Sequence, residues 1–209
     1  SSDVKPSKLG LLIVDEEHKF GVEHKEKIKE IKQNVDVLTL SATPIPRTLQ
    51  MALTGVRGFS TINTPIENRM PVQTYVIRKE KLAVKEIIER ELARGGQVYY
   101  LNNKIERLPN IALEIQKLVK NAKVAIAHGK LSVDEMEDIM QRFINQEFNI
   151  LLCTTIIENG IDIPNVNTII VENADCFGLS QLYQIKGRVG RSNRLAYAYL
   201  MYNPNKELS

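Results

Sequence analysis

Cysteine is scarce in this sequence, and long hydrophobic runs are absent. The two cysteines, Cys153 and Cys176, are too few for a disulfide scaffold or for a zinc finger, which uses about four ligands. No segment approaches the roughly 18 apolar residues of a membrane-spanning helix, and the chain does not open on a secretory signal. We therefore expect a cytoplasmic protein with reduced thiols and no membrane contact. Cys153 ends the apolar run Asn149–Cys153, so we expect its thiol to be buried.

Excess charge of either sign is also small. The 209 residues include 28 Lys and Arg against 25 Asp and Glu, which gives a formal net charge of +3. This excess does not by itself indicate nucleic-acid binding, because that requires basic residues clustered on one surface. Hydrophobic residues make up 43% of the chain and charged residues 25%. This composition is ordinary for one or two globular domains and argues against disorder.

Short apolar segments alternate with longer amphipathic ones. The predicted strands are Leu9–Val14, Val35–Leu40, Val72–Ile77, Gln97–Leu101, Lys123–Ala127, Asn149–Cys153, Thr168–Val171 and Ala196–Met201, with a possible further strand at Phe59–Ile62. The predicted helices are Lys79–Arg94, Leu108–Val119 and Ser132–Asn145, the last opened by a capping box of Ser132 and Glu135. Repeated strand–helix–strand units predict an α/β fold with a mostly parallel sheet.

A break in this pattern divides the chain. Thr64–Pro71 contains two prolines and no apolar periodicity, so we interpret it as a linker. Residues 1–63 then look too short for a complete α/β domain, whereas residues 72–209 look complete.

Acidic residues follow the first predicted strand. Leu11–Val14 runs directly into Asp15, Glu16, Glu17 and His18. A strand of a parallel sheet delivers such side chains to its carboxyl edge, where ligands bind in this class of fold. In nucleotide hydrolases an aspartate there helps to hold Mg²⁺, and a neighbouring acid orients the attacking water. The alternative interpretation is a solvated acidic strand end.

Hydroxyl residues follow two other predicted strands. Ser41 and Thr43 come after the second strand, and by themselves they favour an ordinary Ser/Thr-rich turn. Thr154 and Thr155 follow the predicted strand Asn149–Cys153. Their hydroxyls can donate to the backbone phosphates of a nucleic acid.

Further candidate residues lie between residues 160 and 191 and are a glycine, an acid, a glutamine and two arginines. Gly160 permits a close backbone approach, and Asp162 can accept from a ribose hydroxyl or orient an arginine. Arg188 and Arg191 stand three residues apart after Gln184, a spacing that predicts one face of a helical turn. Arginines placed in this way can reach a triphosphate. The alternatives are an ordinary strand–turn–strand and a solvated basic helix end.

In this order, the four segments resemble motifs II, III, V and VI of superfamily 2 helicases and translocases. Asp15–Val22, Ser41–Thr48 and Ala174–Gln181 are similar to the branch that contains the bacterial transcription-repair coupling factors and the RecG-like branch-migration helicases. At Gly95–Asn102 and Glu17 the chain resembles the coupling factors more than the RecG-like helicases. The resemblance extends from about residue 8 to residue 203 and implies RecA-like parallel sheets flanked by helices. Residues 1–63 would be the C-terminal part of motor lobe one, and residues 72–209 an essentially complete lobe two.

The resemblance also implies roles for individual residues. Asp15 would contact Mg²⁺, Glu16 would activate the hydrolytic water, and the arginines would act as fingers on ATP. The residues expected at the nucleotide are Asp15, Glu16, Gly160, Asp162, Gln184, Arg188 and Arg191. The residues expected to couple nucleotide state to DNA are His18, Ser41 and Thr43. The residues expected at DNA are Thr154, Thr155, His128 and Gly129, although the last two alternatively form a turn that binds nothing.

Some residues depart from the pattern of this branch. Ser41 replaces a frequent threonine and keeps the hydroxyl, Asn159 replaces a frequent threonine and loses it, and Lys186 replaces a common arginine. The largest departure is that no Gly-x-x-x-x-Gly-Lys-Ser/Thr loop, which holds the β- and γ-phosphates, occurs in the 209 residues. We therefore interpret the chain as part of a longer protein, here called the parent protein.

The resemblance implies that the parent protein is an ATP-dependent double-stranded DNA translocase. It would displace stalled RNA polymerase and couple transcription to nucleotide excision repair, with RNA polymerase and the repair proteins bound through regions outside this chain. One alternative is a RecG-like helicase that remodels forks. Another is that the isolated chain is a non-catalytic DNA-binding module, because it lacks the phosphate loop. A third is a protein that shares only the RecA-like fold.

Overall fold

A computed structural model divides the chain into two compact units, Ser1–Ile62 and Asn63–Ser209. The residues that the structure describes are 8–16, 20–21, 26, 28, 35–41, 60, 62, 64, 71–155, 163–191 and 193–203. Each unit has its own sheet. Within the described ranges, no helix is long and apolar enough to cross a membrane.

The described part of the first unit forms a two-stranded parallel sheet. Strand β1 (Leu11–Asp15) pairs with β2 (Asp36–Leu40), with the first residues opposite each other and the last residues opposite each other. Because the strands are parallel, both end at the same edge of the sheet. Both strands confirm the sequence prediction. Residues 59 and 61 of the possible strand Phe59–Ile62 lie outside the described residues.

The second unit contains a six-stranded sheet in which every pair of neighbours is parallel. Its strands are β3 (Gln73–Arg78), β4 (Gln97–Leu101), β5 (Val124–Ala127), β6 (Ile150–Cys153), β7 (Val166–Glu172) and β8 (Tyr197–Tyr202). Their order across the sheet is β3-β8-β7-β4-β6-β5. This arrangement confirms the predicted α/β fold.

Helices in the second unit are α1 (Lys81–Ala93), α2 (Leu108–Leu118), α3 (Val133–Ile144) and α4 (Leu179–Lys186). The predicted capping box at α3 is present. The Ser132 hydroxyl accepts from the Glu135 N–H at 3.3 Å, and the Glu135 carboxylate accepts from the Ser132 N–H at 2.8 Å. These two hydrogen bonds satisfy amides that the first turn of a helix otherwise leaves without partners.

Helices cover both faces of the six-stranded sheet. On one face α1 and α2 bury Ile88 and Ile115 against the strands, and on the other α3 and α4 bury Phe143 and Ile185. Strands β4, β6 and β7 are therefore buried along their whole length. This double coverage explains why β6 and most of β4 read as apolar runs in the sequence.

The order of the strands reverses in the middle of this sheet. Strands β4 and β7 are neighbours, but β4 leads to α2 on one face and β7 leads to α4 on the opposite face. In open parallel sheets, the crevice at the carboxyl ends of such a strand pair is the usual ligand site. The fold therefore predicts that a ligand of the second unit would bind at the carboxyl ends of β4 and β7.

The two cysteines have opposite environments. Cys153 is fully buried in β6, as predicted, and burial raises the pKa of its thiol. Cys176 is exposed. We expect iodoacetamide to label Cys176 in the native chain and to label Cys153 only in denaturant, as read by mass spectrometry of the peptides. Rapid labelling of Cys153 in the native chain would contradict the double coverage of the sheet.

Candidate functional site

The carboxyl ends of β1 and β2 bring an acid and a hydroxyl together. Ser41 Oγ donates to Glu16 Oε2 at 3.4 Å, and the Glu16 N–H donates to the Leu40 carbonyl oxygen at 2.9 Å. Asp15 is the last residue of β1 and lies opposite Leu40 in the register. Asp15, Glu16 and Ser41, which the sequence places after two separate strands, therefore meet at one edge of the first sheet.

The backbone at Glu16 is strained. Its φ of 50° lies in the left-handed region, which residues other than glycine adopt at a cost of about 1–3 kcal/mol. The hydrogen bond to Leu40 stabilises this conformation. Strained residues of this kind cluster at functional sites, so the geometry supports Glu16 as a candidate.

The described residues of the first unit offer carboxylates but no complete metal cage. Among the described residues there is no group of three His, Cys, Asp or Glu side chains that could hold a metal ion. Mg²⁺ is usually held by only one or two carboxylates together with substrate phosphates, so the carboxylate of Asp15 fits this ion. The candidates His18 and Thr43 lie outside the described residues.

The loops after β5 and β6 lie side by side in the second unit. The Thr154 N–H donates to the carbonyl oxygen of Ala127 at 3.4 Å, which places Thr154 and Thr155 beside His128 and Gly129. The His128 Nδ1 atom is buried, and no described residue forms a hydrogen bond to it. The structure therefore brings these four candidates to the same carboxyl edge of the sheet.

Helix α4 and the turn after it carry Gln184, Arg188 and Arg191. Buried Ile185 and Val189 pack against the sheet on either side of Arg188, which is half-buried, and Arg191 is exposed. Arg191 Nε donates to the Gly187 carbonyl oxygen at 3.4 Å. The candidates Gly160 and Asp162 lie outside the described residues.

The prediction that Arg188 and Arg191 share a helical turn is wrong. Helix α4 ends at Lys186, with Gly187 as its C-cap. Gly190 then adopts a φ of 76°, which glycine tolerates because it has no Cβ. The two arginines therefore project from an irregular turn, and the spacing of three residues does not place them on one helix face.

Sequence reasoning missed two buried polar residues at the point where the strand order reverses. Asn102 directly follows β4 and is fully buried, and its Nδ2 has no hydrogen-bond partner among the described residues. Glu172 ends β7 and is also fully buried. The position of Asn102 directly after an apolar strand, which singled out Asp15, could have found it. The sequence gives no such signal for Glu172, because acidic residues are seldom buried.

Comparison with known proteins gives relatives over the whole chain. Residues 79–193 match the helicase conserved C-terminal domain family. Over 209 residues the chain is 62% identical to the transcription-repair-coupling factor of Bacillus subtilis strain 168 and 56% identical to that of Staphylococcus aureus strain USA300. This likeness confirms the resemblance drawn from the motifs. The chain spans 18% of the length of each of these relatives.

Solved structures give the same architecture. RecG bound to a three-way DNA junction matches 97% of this chain and 27% of its own, with a TM-score of 0.74 and 36% sequence identity. Dbp5 of S. cerevisiae bound to RNA and ADP BeF3 matches 94% of this chain and 55% of its own, with a TM-score of 0.67 and 18% identity, and it supports the fold alone. The predicted RecA-like parallel sheets flanked by helices are confirmed.

Proposed function

The chain belongs to the helicase conserved C-terminal domain family, and on this basis we propose that it is part of an ATP-dependent translocase on double-stranded DNA. Residues 1–63 would form the C-terminal part of motor lobe one, residues 64–71 a linker, and residues 72–209 motor lobe two. One observation carries the proposal. The motif residues that the structure describes lie at or just after the carboxyl ends of parallel strands, or on and after the helix that follows β7.

Hydrolysis would depend on the edge of the first sheet. Asp15 would contact Mg²⁺, which supplies charge stabilisation to the phosphates when it is bound. Glu16 would accept a proton from the attacking water, and Ser41 would orient its carboxylate through their hydrogen bond. Ser41, with His18 and Thr43, would couple the state of the nucleotide to DNA binding.

The second unit would contribute residues that bind ATP and residues that bind DNA. Arg188 and Arg191 would stabilise charge on the triphosphate as arginine fingers. The other second-unit residues proposed at ATP are Gln184, Gly160 and Asp162. Those proposed at the DNA backbone are Thr154, Thr155, His128 and Gly129, which meet at the ends of β5 and β6.

Contacts to phosphates predict a definite salt dependence of DNA binding. Each neutralised phosphate releases counterions, so the logarithm of the binding constant should fall linearly with the logarithm of salt concentration, with a slope of about −0.9 per contact. Fluorescence anisotropy of a labelled duplex, titrated with the chain between about 50 and 200 mM salt, measures this slope. Equal affinity at both salt concentrations would contradict the proposed phosphate contacts.

The isolated chain should not hydrolyse ATP. Its 209 residues contain no Gly-x-x-x-x-Gly-Lys-Ser/Thr loop, and this loop supplies the lysine and backbone donors for the β- and γ-phosphates. We propose that the parent protein contains the loop and acts in the cytoplasm. We also propose that it displaces stalled RNA polymerase and recruits excision-repair proteins through regions outside this chain. The 62% identity to a coupling factor supports this assignment.

A RecG-like fork-remodelling helicase is the second candidate, and the 36% identity to RecG on a three-way junction favours it. The two functions can be separated by giving the parent protein and ATP either a stalled transcription complex or a three-way DNA junction. Release of RNA polymerase from the template supports the coupling-factor proposal. Junction remodelling without polymerase release would overturn it in favour of the RecG-like function.

A further inference from the structure

A buried carboxylate links the ends of separate strands on the sheet face that α1 and α2 cover. Glu172 ends β7 and is 0% exposed. Its Oε2 accepts from the hydroxyl of Tyr100 on β4 at 2.9 Å, and its Oε1 contacts Lys79 Nζ. Lys79 directly follows β3, which lies two strands away from β7 in the sheet. One side chain thus connects three strands near their carboxyl ends.

Both oxygens of this carboxylate have partners. A buried charge is costly unless it is paired and hydrogen-bonded, and Lys79 and Tyr100 meet these two needs. Burial, followed by the negative charge of Glu172, raises the pKa of Tyr100 well above its usual value. The phenol therefore stays protonated and remains a donor. A fully satisfied network of this kind holds its members in one arrangement.

The network lies where the chain turns toward the arginines. Asn173, the next residue, has a φ of 53° in the left-handed region. A short 3₁₀ turn at Ala174–Cys176 follows, and helix α4 then carries Gln184 and leads to Arg188. The position of Glu172 therefore sets where this turn starts, and the turn sets where α4 begins.

We propose that Glu172 is a positioning residue for the nucleotide-contacting arginines. It fixes the end of β7 against Tyr100 and Lys79, so that α4 holds Gln184 in place and the turn after α4 holds Arg188 in place. This inference rests on the proposed ATPase function. It assigns Glu172 no contact with ATP, and it predicts that catalysis is more sensitive to this carboxylate than to others of equal burial.

A second buried carboxylate provides a matched control. Glu91 of α1 is 2% exposed, pairs with Arg94 at 2.9 Å and accepts from the Thr168 hydroxyl at 2.6 Å. Like Glu172, it has one basic and one hydroxyl partner, and its hydroxyl partner Thr168 lies on β7. However, Thr168 lies near the start of β7, away from the turn into α4. Replacing either glutamate by glutamine removes a charge and preserves size.

The test compares Glu172→Gln with Glu91→Gln in the parent protein. We expect Glu172→Gln to lower kcat for DNA-stimulated ATP hydrolysis at least tenfold with KM for ATP changed less than twofold. We expect Glu91→Gln to keep both constants within twofold at a similar shift in Tm. Equal kinetic effects of the two variants would overturn the proposal, because a merely structural role predicts them.

Two further variants keep the result interpretable. If Glu172→Gln does not fold, Tyr100→Phe removes only the hydroxyl that holds Glu172, and we expect a several-fold loss of kcat. Unchanged kcat in Tyr100→Phe would overturn the proposal. Arg188→Ala distinguishes failure of the proposed ATPase function from failure of the positioning role. If Arg188→Ala leaves turnover intact, the proposed function fails. If Arg188→Ala loses turnover but the two glutamine variants have equal effects, only the positioning role of Glu172 fails.

Discussion

Arg188→Ala in the parent protein should reduce DNA-stimulated ATP hydrolysis by about 10³-fold or more, the range observed for the loss of an arginine finger. Arg188 is half-buried just after α4, between Ile185 and Val189, which pack into the core. In the proposed function, this packing would hold the guanidinium where it could stabilise charge that develops on the phosphates. The measurement is kcat at saturating ATP and duplex DNA.

Two variants control this prediction. Arg194→Ala removes a nearby exposed arginine whose Nη1 donates to the carbonyl oxygen of Arg94, and we expect kcat within twofold of the unmodified protein. Arg188→Lys keeps the charge but loses the planar fork of donors, so it should restore little activity. Unchanged turnover in Arg188→Ala would favour a protein that shares only the fold.

Glu16→Gln should lower ATP hydrolysis by about 10²–10⁴-fold, the usual contribution of general acid–base catalysis. Glutamine keeps the size of Glu16 and can still accept from Ser41, but it cannot take a proton from water. We therefore expect hydrolysis to fail while nucleotide binding persists. Single-turnover hydrolysis and the binding of a fluorescent ATP analogue measure the two steps separately.

A carboxylate at the opposite edge of the same sheet provides the control. Asp36 begins β2, whereas Glu16 follows the end of β1, so Asp36→Asn should leave hydrolysis within twofold. Ser41→Ala removes the hydrogen bond to Glu16 and should have a smaller effect than Glu16→Gln. Normal hydrolysis in Glu16→Gln would contradict the role of Glu16 as the proton acceptor.

Local pattern was sufficient to predict the strands and most helices. Runs such as Val98–Leu101 are hydrophobic along their length because helices cover both faces of the sheet. Strand β7 was predicted too short, as Thr168–Val171, because Asn167 and Glu172 are polar. Their burial depends on partners, and no local periodicity reveals those partners.

The candidate site, like β7, could be predicted from local pattern only where it does not depend on partners distant in the sequence. Asp15, Glu16 and Ser41 could be predicted to meet, because the ends of parallel strands share an edge. The Glu172 network could not, because Tyr100 lies 72 residues away and Lys79 lies 93 residues away in the sequence. The course of the chain at Arg188 was also mispredicted, because Gly187 and Gly190 end the helical pattern.

Movement along duplex DNA is the central claim, and displacement of a third strand measures it most directly. The parent protein is incubated with a duplex that carries a bound triplex-forming strand, and release of that strand is followed with and without ATP. We predict release that requires ATP and is lost in Glu16→Gln and Arg188→Ala. A parent protein that hydrolyses ATP on this DNA but leaves the third strand in place would contradict a translocase.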